Sequence, residues 1–143
     1  MNPPAIEITE SLHGLEPGRA LDLACGSGRH AIWLRDLGWA VTAVDLAIDP
    51  INGVTCIQAD LERGVFSIPA SAWDLIVCWL YWQEDILLPI AAGVRPGGIV
   101  ALAGKTTGRF ATSLDHYRQA FPGWEVLSAG EDSHKAFFIA RKV

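Results

Sequence analysis

Residues 21–30 constrain this chain more than any other stretch, because a short apolar segment runs directly into a glycine-rich turn. Residues 21–24 have the composition of a buried strand, and Gly26 and Gly28 turn the chain into a segment with the apolar spacing of a helix. A second apolar strand follows and ends on Asp45. This order predicts a nucleotide-shaped site, where glycine admits a ligand close to the backbone and the acid can bind ribose hydroxyls.

The same glycines, with Ala31, also fit the dinucleotide fingerprint Gly-x-Gly-x-x-Ala, so the motif alone does not identify the ligand. Three features favour a ligand other than a dinucleotide. Asp22 lies inside the first strand, where a carboxylate suits a ligand that carries an ammonium group. Asp60 ends a third strand beside the same crevice, and 143 residues leave no second domain to hold a dehydrogenase substrate.

At these positions the sequence resembles the class I S-adenosylmethionine-dependent methyltransferases. The similar motifs are Asp-Leu-Ala-Cys-Gly-Ser-Gly at 22–28, Val44-Asp45, Ala59-Asp60-Leu61 and Arg95-Pro96-Gly97-Gly98. The resemblance extends over roughly residues 15–143. Gly-Arg-His after the glycine loop, Tyr81 after the fourth strand and Gly-Arg-Phe at 108–110 look closest to small bacterial tellurite-resistance-like methyltransferases.

The resemblance implies an α/β fold with a Rossmann-like, doubly wound sheet of seven strands in the order 3-2-1-4-5-7-6, strand 7 being antiparallel. It implies one domain over residues 1–143, S-adenosylmethionine as the cofactor and a small molecule as the methyl acceptor. Two other functions fit the same pattern: a non-catalytic cofactor- or partner-binding domain with this fold, and a nicotinamide-dependent enzyme. A stabilising effect of NAD alone would favour the last of these.

The predicted cofactor site collects residues at the ends of the first four strands and in the glycine loop. It comprises Asp22, Ala24, Cys25, Gly26, Ser27, Gly28, Arg29, His30, Asp45, Leu46, Ala59, Asp60, Leu61, Cys78 and Trp79. Asp22 is expected to hold either the methionine ammonium or the loop amides, and Asp60 is either a turn residue or an adenine contact. No catalytic residue is assigned, because the leaving sulfonium is already activated and the protein mainly supplies orientation and water exclusion.

The acceptor side of the site is expected just after the fourth strand, at Trp79, Tyr81 and Trp82. In an extended segment, alternation would place Trp79 and Tyr81 on one side and Trp82 on the other, which favours the first two as pocket residues. The alternative is that all three rings pack under the following helix. Arg109, after the fifth strand, is a candidate for holding an anion.

Composition limits the remaining functions. A net charge of −5 and the lack of a basic stripe argue against nucleic acid as a partner, and no apolar run is long enough for a membrane span. Asn/Asp-Pro-Pro-Tyr, which marks methyltransferases acting on nucleic-acid amino groups, is absent. Cys25, Cys56 and Cys78 are odd in number and widely spaced, which predicts reduced thiols, no metal site and a cytoplasmic location.

Two connections depart from the usual pattern of this fold. Only residues 46–53 separate the second and third strands, although a parallel crossover normally needs a dozen or more residues with a helix. Residues 61–72 also look poorly helical, since they contain Gly64 and Pro69. The helix between strands 2 and 3 is therefore predicted to be shortened, leaving either a homodimer to cover the sheet or a shallow adenine pocket. Later in the chain, helices are predicted at 85–94 and 114–121, and an antiparallel hairpin at 124–128 and 136–141.

Overall fold

The computed structural model describes residues 2–64 and 66–143 as alternating helices and strands. The helices are α1 (Ile6–Leu12), α2 (Arg29–Asp36), α3 (Leu87–Gly93) and α4 (Leu114–Ala120). The strands are β1 (Arg19–Leu23), β2 (Ala40–Asp45), β3 (Thr55–Gln58), β4 (Trp73–Trp79), β5 (Val94–Lys105), β6 (Glu125–Glu131) and β7 (Lys135–Arg141). Among the described residues no helix is long and apolar enough to cross a membrane.

Within the described residues the strands form one sheet in the order β3-β2-β1-β4-β5-β7-β6. Strands β1 to β5 run parallel to one another, whereas β7 runs antiparallel to both β5 and β6. The predicted strand order and the reversed seventh strand are confirmed. Because parallel strands end at a common edge, the chain leaves β1 to β5 at one side of the sheet, where ligands bind in folds of this kind.

Helices cover the two faces of the sheet with separate apolar layers. On one face, Ile8 and Leu12 of α1 and Leu34 of α2 pack on small and branched residues of the central strands. On the other, Ile90 of α3 and Tyr117 of α4 pack on the opposite side of the same strands. Each fully buried side chain of this size stabilises the fold by about 1.5–3 kcal/mol, so these layers fix the sheet that carries the site.

The β2–β3 end of the sheet lacks such cover. No helix connects these two strands, and the connection from β3 to β4 contains only a short 3₁₀ turn, Leu61–Arg63, among its described residues. As a result β3 is only partly buried along its four residues. The shortened crossover is confirmed, while the homodimer predicted to cover this region stays a prediction.

The helix predicted over 85–94 is shorter in the structure and divides in two. A 3₁₀ turn at Glu84–Ile86 precedes α3, which begins at Leu87. Pro89 explains the late start, because proline has no amide hydrogen and fits only in the first turn of an α-helix. The strand β5 begins at Val94, and its pairing with β4 is interrupted by a register shift before Ile99.

Candidate functional site

The glycine loop after β1 is tied to the end of β2 by a carboxylate. The Gly26 amide donates to Asp45 Oδ2 at 2.8 Å, and the Ala47 amide faces Asp45 Oδ1 at 3.3 Å. Gly26 has a φ of +59°, and Gly28 has a φ of +88° with the Ile51 side chain where a Cβ atom would stand. Both glycines are therefore required by the backbone conformation of the loop.

A cavity of about 350 Å³ lies where the chain leaves β1, β2 and β3. We call it the strand-end cavity. Its lining residues are Ala24, Asp45, Leu46, Ala59, Asp60, Leu61, Glu62, Leu80 and Tyr81. Asp60 Oδ1 accepts a hydrogen bond from the Glu62 amide at 3.0 Å, whereas the apolar side chain of Leu46 is 62% exposed. Three carboxylates, those of Asp45, Asp60 and Glu62, and an uncovered apolar side chain thus surround one space.

A second cavity, of about 460 Å³, lies beside the first. We call it the loop cavity, because most of its wall comes from the segments after β4 and β5. Its lining residues are Glu62, Leu80, Tyr81, Trp82, Lys105, Thr107, Gly108, Arg109 and Phe110. Glu62, Leu80 and Tyr81 belong to both cavities and form the wall that they share.

Two residues of the strand-end cavity have strained backbones. Ala24 and Leu80 have φ values of +52° and +59°, a left-handed conformation that residues with a side chain rarely adopt. Such conformations cost about 1–3 kcal/mol each and concentrate at functional sites. At Leu80 the strain turns the chain sharply at the end of β4 and places a 41% exposed leucine in the shared wall.

Tyr81 is fixed by a small hydrogen-bond network. Its hydroxyl donates to Gln83 Oε1 at 2.6 Å, and Gln83 Nε2 donates to the Leu61 carbonyl at 3.0 Å and to Asp85 Oδ1 at 2.6 Å. Burial, together with nearby carboxylates such as that of Glu62, raises the pKa of Tyr81 to about 12. The phenol therefore stays protonated at neutral pH and acts as a donor.

Asp22 is buried beneath the glycine loop. Alternation along β1 turns its side chain towards α2, and its Oδ2 atom has no hydrogen-bond partner among the described residues. Burial raises the pKa of Asp22 to about 7, and the Asp45 carboxylate adds to the rise, while the Ala31 amide and Arg29 oppose it. Asp22 therefore lies below the loop without lining either cavity.

Arg29 and His30 contact the amino-terminal segment. An Arg29 guanidinium nitrogen donates to the Pro3 carbonyl at 3.0 Å, and His30 Nε2 accepts from the Ala5 amide at 3.0 Å. Burial lowers the pKa of His30 to about 4, so its ring is neutral at pH 7. These two residues line neither cavity, and their contacts attach the start of α1 to the start of α2.

The predicted placement of Trp79 beside Tyr81 is wrong. The Trp79 ring packs against His30 and Phe137, with ring centroids 6.0 and 6.3 Å apart, on the face of the sheet covered by α1 and α2. Tyr81 and Trp82 instead share the loop cavity. The left-handed turn at Leu80 is the reason, because it ends the extended geometry on which the expected alternation depends.

The structure brings together six of the predicted cofactor residues, which line the strand-end cavity: Ala24, Asp45, Leu46, Ala59, Asp60 and Leu61. Of the residues predicted for the acceptor, Tyr81, Trp82 and Arg109 line the loop cavity. Nine predicted cofactor residues line neither cavity: Asp22, Cys25, Gly26, Ser27, Gly28, Arg29, His30, Cys78 and Trp79. A ligand-binding role for these nine stays a prediction.

Six lining residues lie outside the predicted set: Glu62, Leu80, Lys105, Thr107, Gly108 and Phe110. Lys105 ends β5 as Asp45 ends β2, and Phe110 follows Arg109, so their positions after a strand could have indicated them. Glu62 lies two residues beyond Asp60, in the turn that the carboxylate of Asp60 caps. Leu80 carried no signal, because nothing in a leucine predicts a positive φ.

Comparison with known proteins agrees with this architecture. The sequence model of the family described as tellurite resistance protein TehB matches residues 1–89. A malonyl-[acyl-carrier protein] O-methyltransferase from Salmonella typhimurium is 33% identical over 126 residues, which cover 81% of this chain and 47% of that protein. The chain thus spans about half the length of the curated relatives that it matches.

Two solved structures illustrate the likeness in fold. TehB from Haemophilus influenzae superposes with a TM-score of 0.81 at 17% identity, covering 96% of this chain and 62% of that one. The 1,6-didemethyltoxoflavin-N1-methyltransferase from Burkholderia thailandensis, solved with S-adenosylhomocysteine, gives 0.71 at 19% identity, covering 96% and 75%. These two superpositions establish the fold, and the family match extends over more than half of the sequence. The chain belongs to the TehB family of tellurite-resistance-type proteins.

Proposed function

We propose that this protein is an S-adenosylmethionine-dependent methyltransferase that acts on a small molecule in the cytoplasm. One observation carries the proposal: the strand-end cavity, which is lined by the carboxylates of Asp45, Asp60 and Glu62, shares a wall with a second cavity. A methyl donor in the first and an acceptor in the second would meet at that wall. The family and the fold support the reaction class.

The residues of the strand-end cavity fit the proposed cofactor. Each oxygen of Asp45 receives one backbone amide, and a carboxylate oxygen has two lone pairs, so both can still accept from sugar hydroxyls. Leu46 offers the apolar surface that a base requires, and Asp60 retains one oxygen without a bond to the backbone. The cavity volume of about 350 Å³ falls within the range of small-molecule sites.

The buried carboxyl of Asp22 supports binding of a cationic group near the loop. Its Oδ2 atom has no hydrogen-bond partner among the described residues, and its raised pKa indicates that the ionised carboxyl is poorly stabilised. An ammonium close to the glycine loop would favour the ionised form of Asp22. Binding of the cofactor would then lower the pKa of Asp22 and release a proton near neutral pH.

In the proposed reaction the protein orients and shields the two reactants. S-adenosylmethionine supplies an activated methyl group when bound. Leu80 and Tyr81, in the shared wall, would exclude water and hold the acceptor in place, an effect that lowers the barrier through proximity. Among the described residues neither cavity is lined by histidine, and Tyr81 keeps its proton, so the lining groups that could accept a proton from the acceptor are carboxylates such as that of Glu62 in the shared wall.

The volume of the loop cavity, about 460 Å³, favours a small-molecule acceptor. The Salmonella relative is named for an acceptor carried by a protein. A protein-borne acceptor would need a docking surface around the cavity in addition to the cavity itself. Methylation of a free small molecule would therefore favour a small-molecule acceptor over an acceptor carried by a protein.

A thermal-shift experiment tests the proposed cofactor. S-adenosylmethionine and S-adenosylhomocysteine should raise the melting temperature, because binding at one hundred times the dissociation constant adds about 2.7 kcal/mol to stability. NAD and NADP should not. A shift with NAD alone would overturn the proposal in favour of a nicotinamide enzyme, and binding without turnover on any acceptor would favour a non-catalytic domain.

A further inference from the structure

The loop cavity has an uneven distribution of charge. Its cations, Lys105 and Arg109, follow β5 and belong to the loop cavity alone. Its acid, Glu62, lies in the wall shared with the strand-end cavity. The cationic part of the lining is therefore on the side away from the proposed cofactor, and an anion would be repelled from the shared wall.

Among the described residues, neither cation donates a hydrogen bond or forms an ion pair from its side chain, unlike most lysines and arginines of this protein. The chain has 11 lysines and arginines. Among the described residues, seven of them donate from their side chains to carboxylates or backbone carbonyls: Arg19, Arg29, Arg35, Arg95, Lys135, Arg141 and Lys142. Of the other four, two line the loop cavity in a protein whose net charge is −5.

An aromatic ring supports one of these cations. The guanidinium carbon of Arg109 lies 5.3 Å from the centroid of the Phe110 ring, a cation–π distance. This contact orients the guanidinium without using its N–H donors, so they remain available for a carboxylate. Phe110 itself is 59% exposed and lines the same cavity.

Part of the remaining lining is apolar and includes the side chains of Leu80 and Trp82. Leu80 is 41% exposed, and the Trp82 ring is stacked on His116 with a centroid distance of 5.3 Å, which holds the indole in place. With Phe110 these side chains form apolar walls around a space large enough for a substituted ring. Water-exposed apolar walls next to unpaired cations match a ligand with a ring at one end and an anionic group at the other.

We propose that the loop cavity binds a small aromatic acid, with its carboxylate held by Arg109 and Lys105 and its ring against Phe110, Leu80 and Trp82. The inference rests on the proposed function, since it names the acceptor class of that site. It also fixes the orientation of the acid. The carboxylate is the recognition group at the far side, and the opposite end of the ring, which would carry the nucleophilic atom that takes the methyl group from the sulfonium, faces the shared wall and Glu62.

Ligand-detected NMR with phenylacetate tests this proposal, in the presence and absence of S-adenosylhomocysteine. Phenylacetamide has nearly the same shape without the charge, and acetate has the charge without the ring. Phenylacetate should bind at least tenfold more tightly than either. Phenyl phosphate serves as a further arm, and tighter binding of it than of phenylacetate would replace the carboxylate by a phosphate and overturn the proposal as stated.

Two matched variants test whether phenylacetate binds in the loop cavity. Arg109→Gln should raise the dissociation constant of phenylacetate about tenfold, whereas Arg118→Gln, which removes another unpaired arginine on α4, should leave it unchanged. Equal effects of the two variants, equal affinity for the amide, or no binding of phenylacetate would overturn the inference.

The affinity for S-adenosylhomocysteine, measured on the same samples, separates the two proposals. If it binds while phenylacetate does not, the acceptor inference fails and the proposed function stands. If it does not bind at all, the proposed function fails, whatever the result with phenylacetate.

Discussion

The strand-end cavity and the loop cavity adjoin one another but are built differently. In the first, polar side chains are fixed by backbone amides of neighbouring strand ends, as in the bond from Gly26 to Asp45 and that from Glu62 to Asp60. In the second, the charged side chains project from an exposed loop that is closed by its own ends, where the Thr112 amide donates to the Lys105 carbonyl at 2.8 Å. The sheet determines the first cavity, and the loop determines the second.

This difference indicates how the two sites can change. A substitution in the strand-end cavity disturbs bonds that also position the glycine loop, so its geometry is tied to the fold. The side chains of Lys105, Arg109 and Phe110 are exposed and make few internal contacts, so they can be replaced at little cost in stability. We therefore expect cofactor binding to depend on the sheet edge and acceptor choice to depend on the loop.

The largest expected effect is on cofactor affinity. Asp45→Ala removes charge-assisted hydrogen bonds of about 1.5–3 kcal/mol, so the dissociation constant of S-adenosylhomocysteine should rise about ten- to a hundredfold. Titration calorimetry measures it, with the exposed Asp49→Ala as a control from the same connection. Binding of phenylacetate to the loop cavity should not change. Equal affinities of the two variants would remove Asp45 from the cofactor site.

A second prediction concerns Asp22 and His30, two buried groups whose pKa values are shifted in opposite directions. Asp22 has a raised pKa, so its contribution to stability is complete below about pH 4 and is lost as the pH rises to about 7. His30 has a lowered pKa, so its contribution is complete above pH 6.5 and is lost as the pH falls to about 4. The two contributions have opposite slopes, of at most about 1.4 kcal/mol per pH unit each.

Urea unfolding between pH 4 and 6.5 should separate these slopes. Relative to the wild type, Asp22→Asn should lose stability more steeply on acidification, because only the pH-dependent contribution of His30 remains. His30→Gln, which keeps a side-chain acceptor for the Ala5 amide, should have the opposite deviation. Parallel pH profiles for the wild type and both variants would contradict the claim that burial shifts the pKa of Asp22 and of His30.

The smallest expected effect is on the strained residue of the shared wall. Leu80→Gly and Leu80→Ala both remove the side chain, but only glycine is unstrained at a φ of +59°. The glycine variant should therefore be more stable than the alanine variant by about 1 kcal/mol. Chemical denaturation measures the difference. If alanine is as stable as glycine, the left-handed turn is not a source of strain.

Most of the architecture could be predicted from the sequence because it follows from repeating patterns. Residues 73–79 are mostly apolar, which is typical of a central parallel strand covered on both faces, and the short segment after Asp45 indicated the missing helix. The charged end of β2 was recognisable by its spacing from the glycines. The strand order came from the family resemblance, since periodicity does not determine it.

The lining of the loop cavity could be predicted only in part. Tyr81, Trp82 and Arg109 follow strand ends, and this position had singled them out before the structure placed them around the cavity. The face on which Trp79 lies depends on the backbone at Leu80, and a single left-handed residue in a non-glycine position leaves no trace in the sequence. The roles of His30 and Arg29 were also hidden, because their partners are backbone groups of residues 3 and 5, far away in the sequence.

The central claim is that the cofactor binds at the carboxyl edge of the sheet, in the strand-end cavity. A titration of ¹⁵N-labelled protein with S-adenosylhomocysteine tests it most directly. The amide signals of Gly26, Leu46, Asp60 and Leu80 should shift, while those around a cavity at the opposite edge, near Gly97, should stay unchanged. Shifts confined to the opposite edge, or none at saturating ligand, would contradict the account.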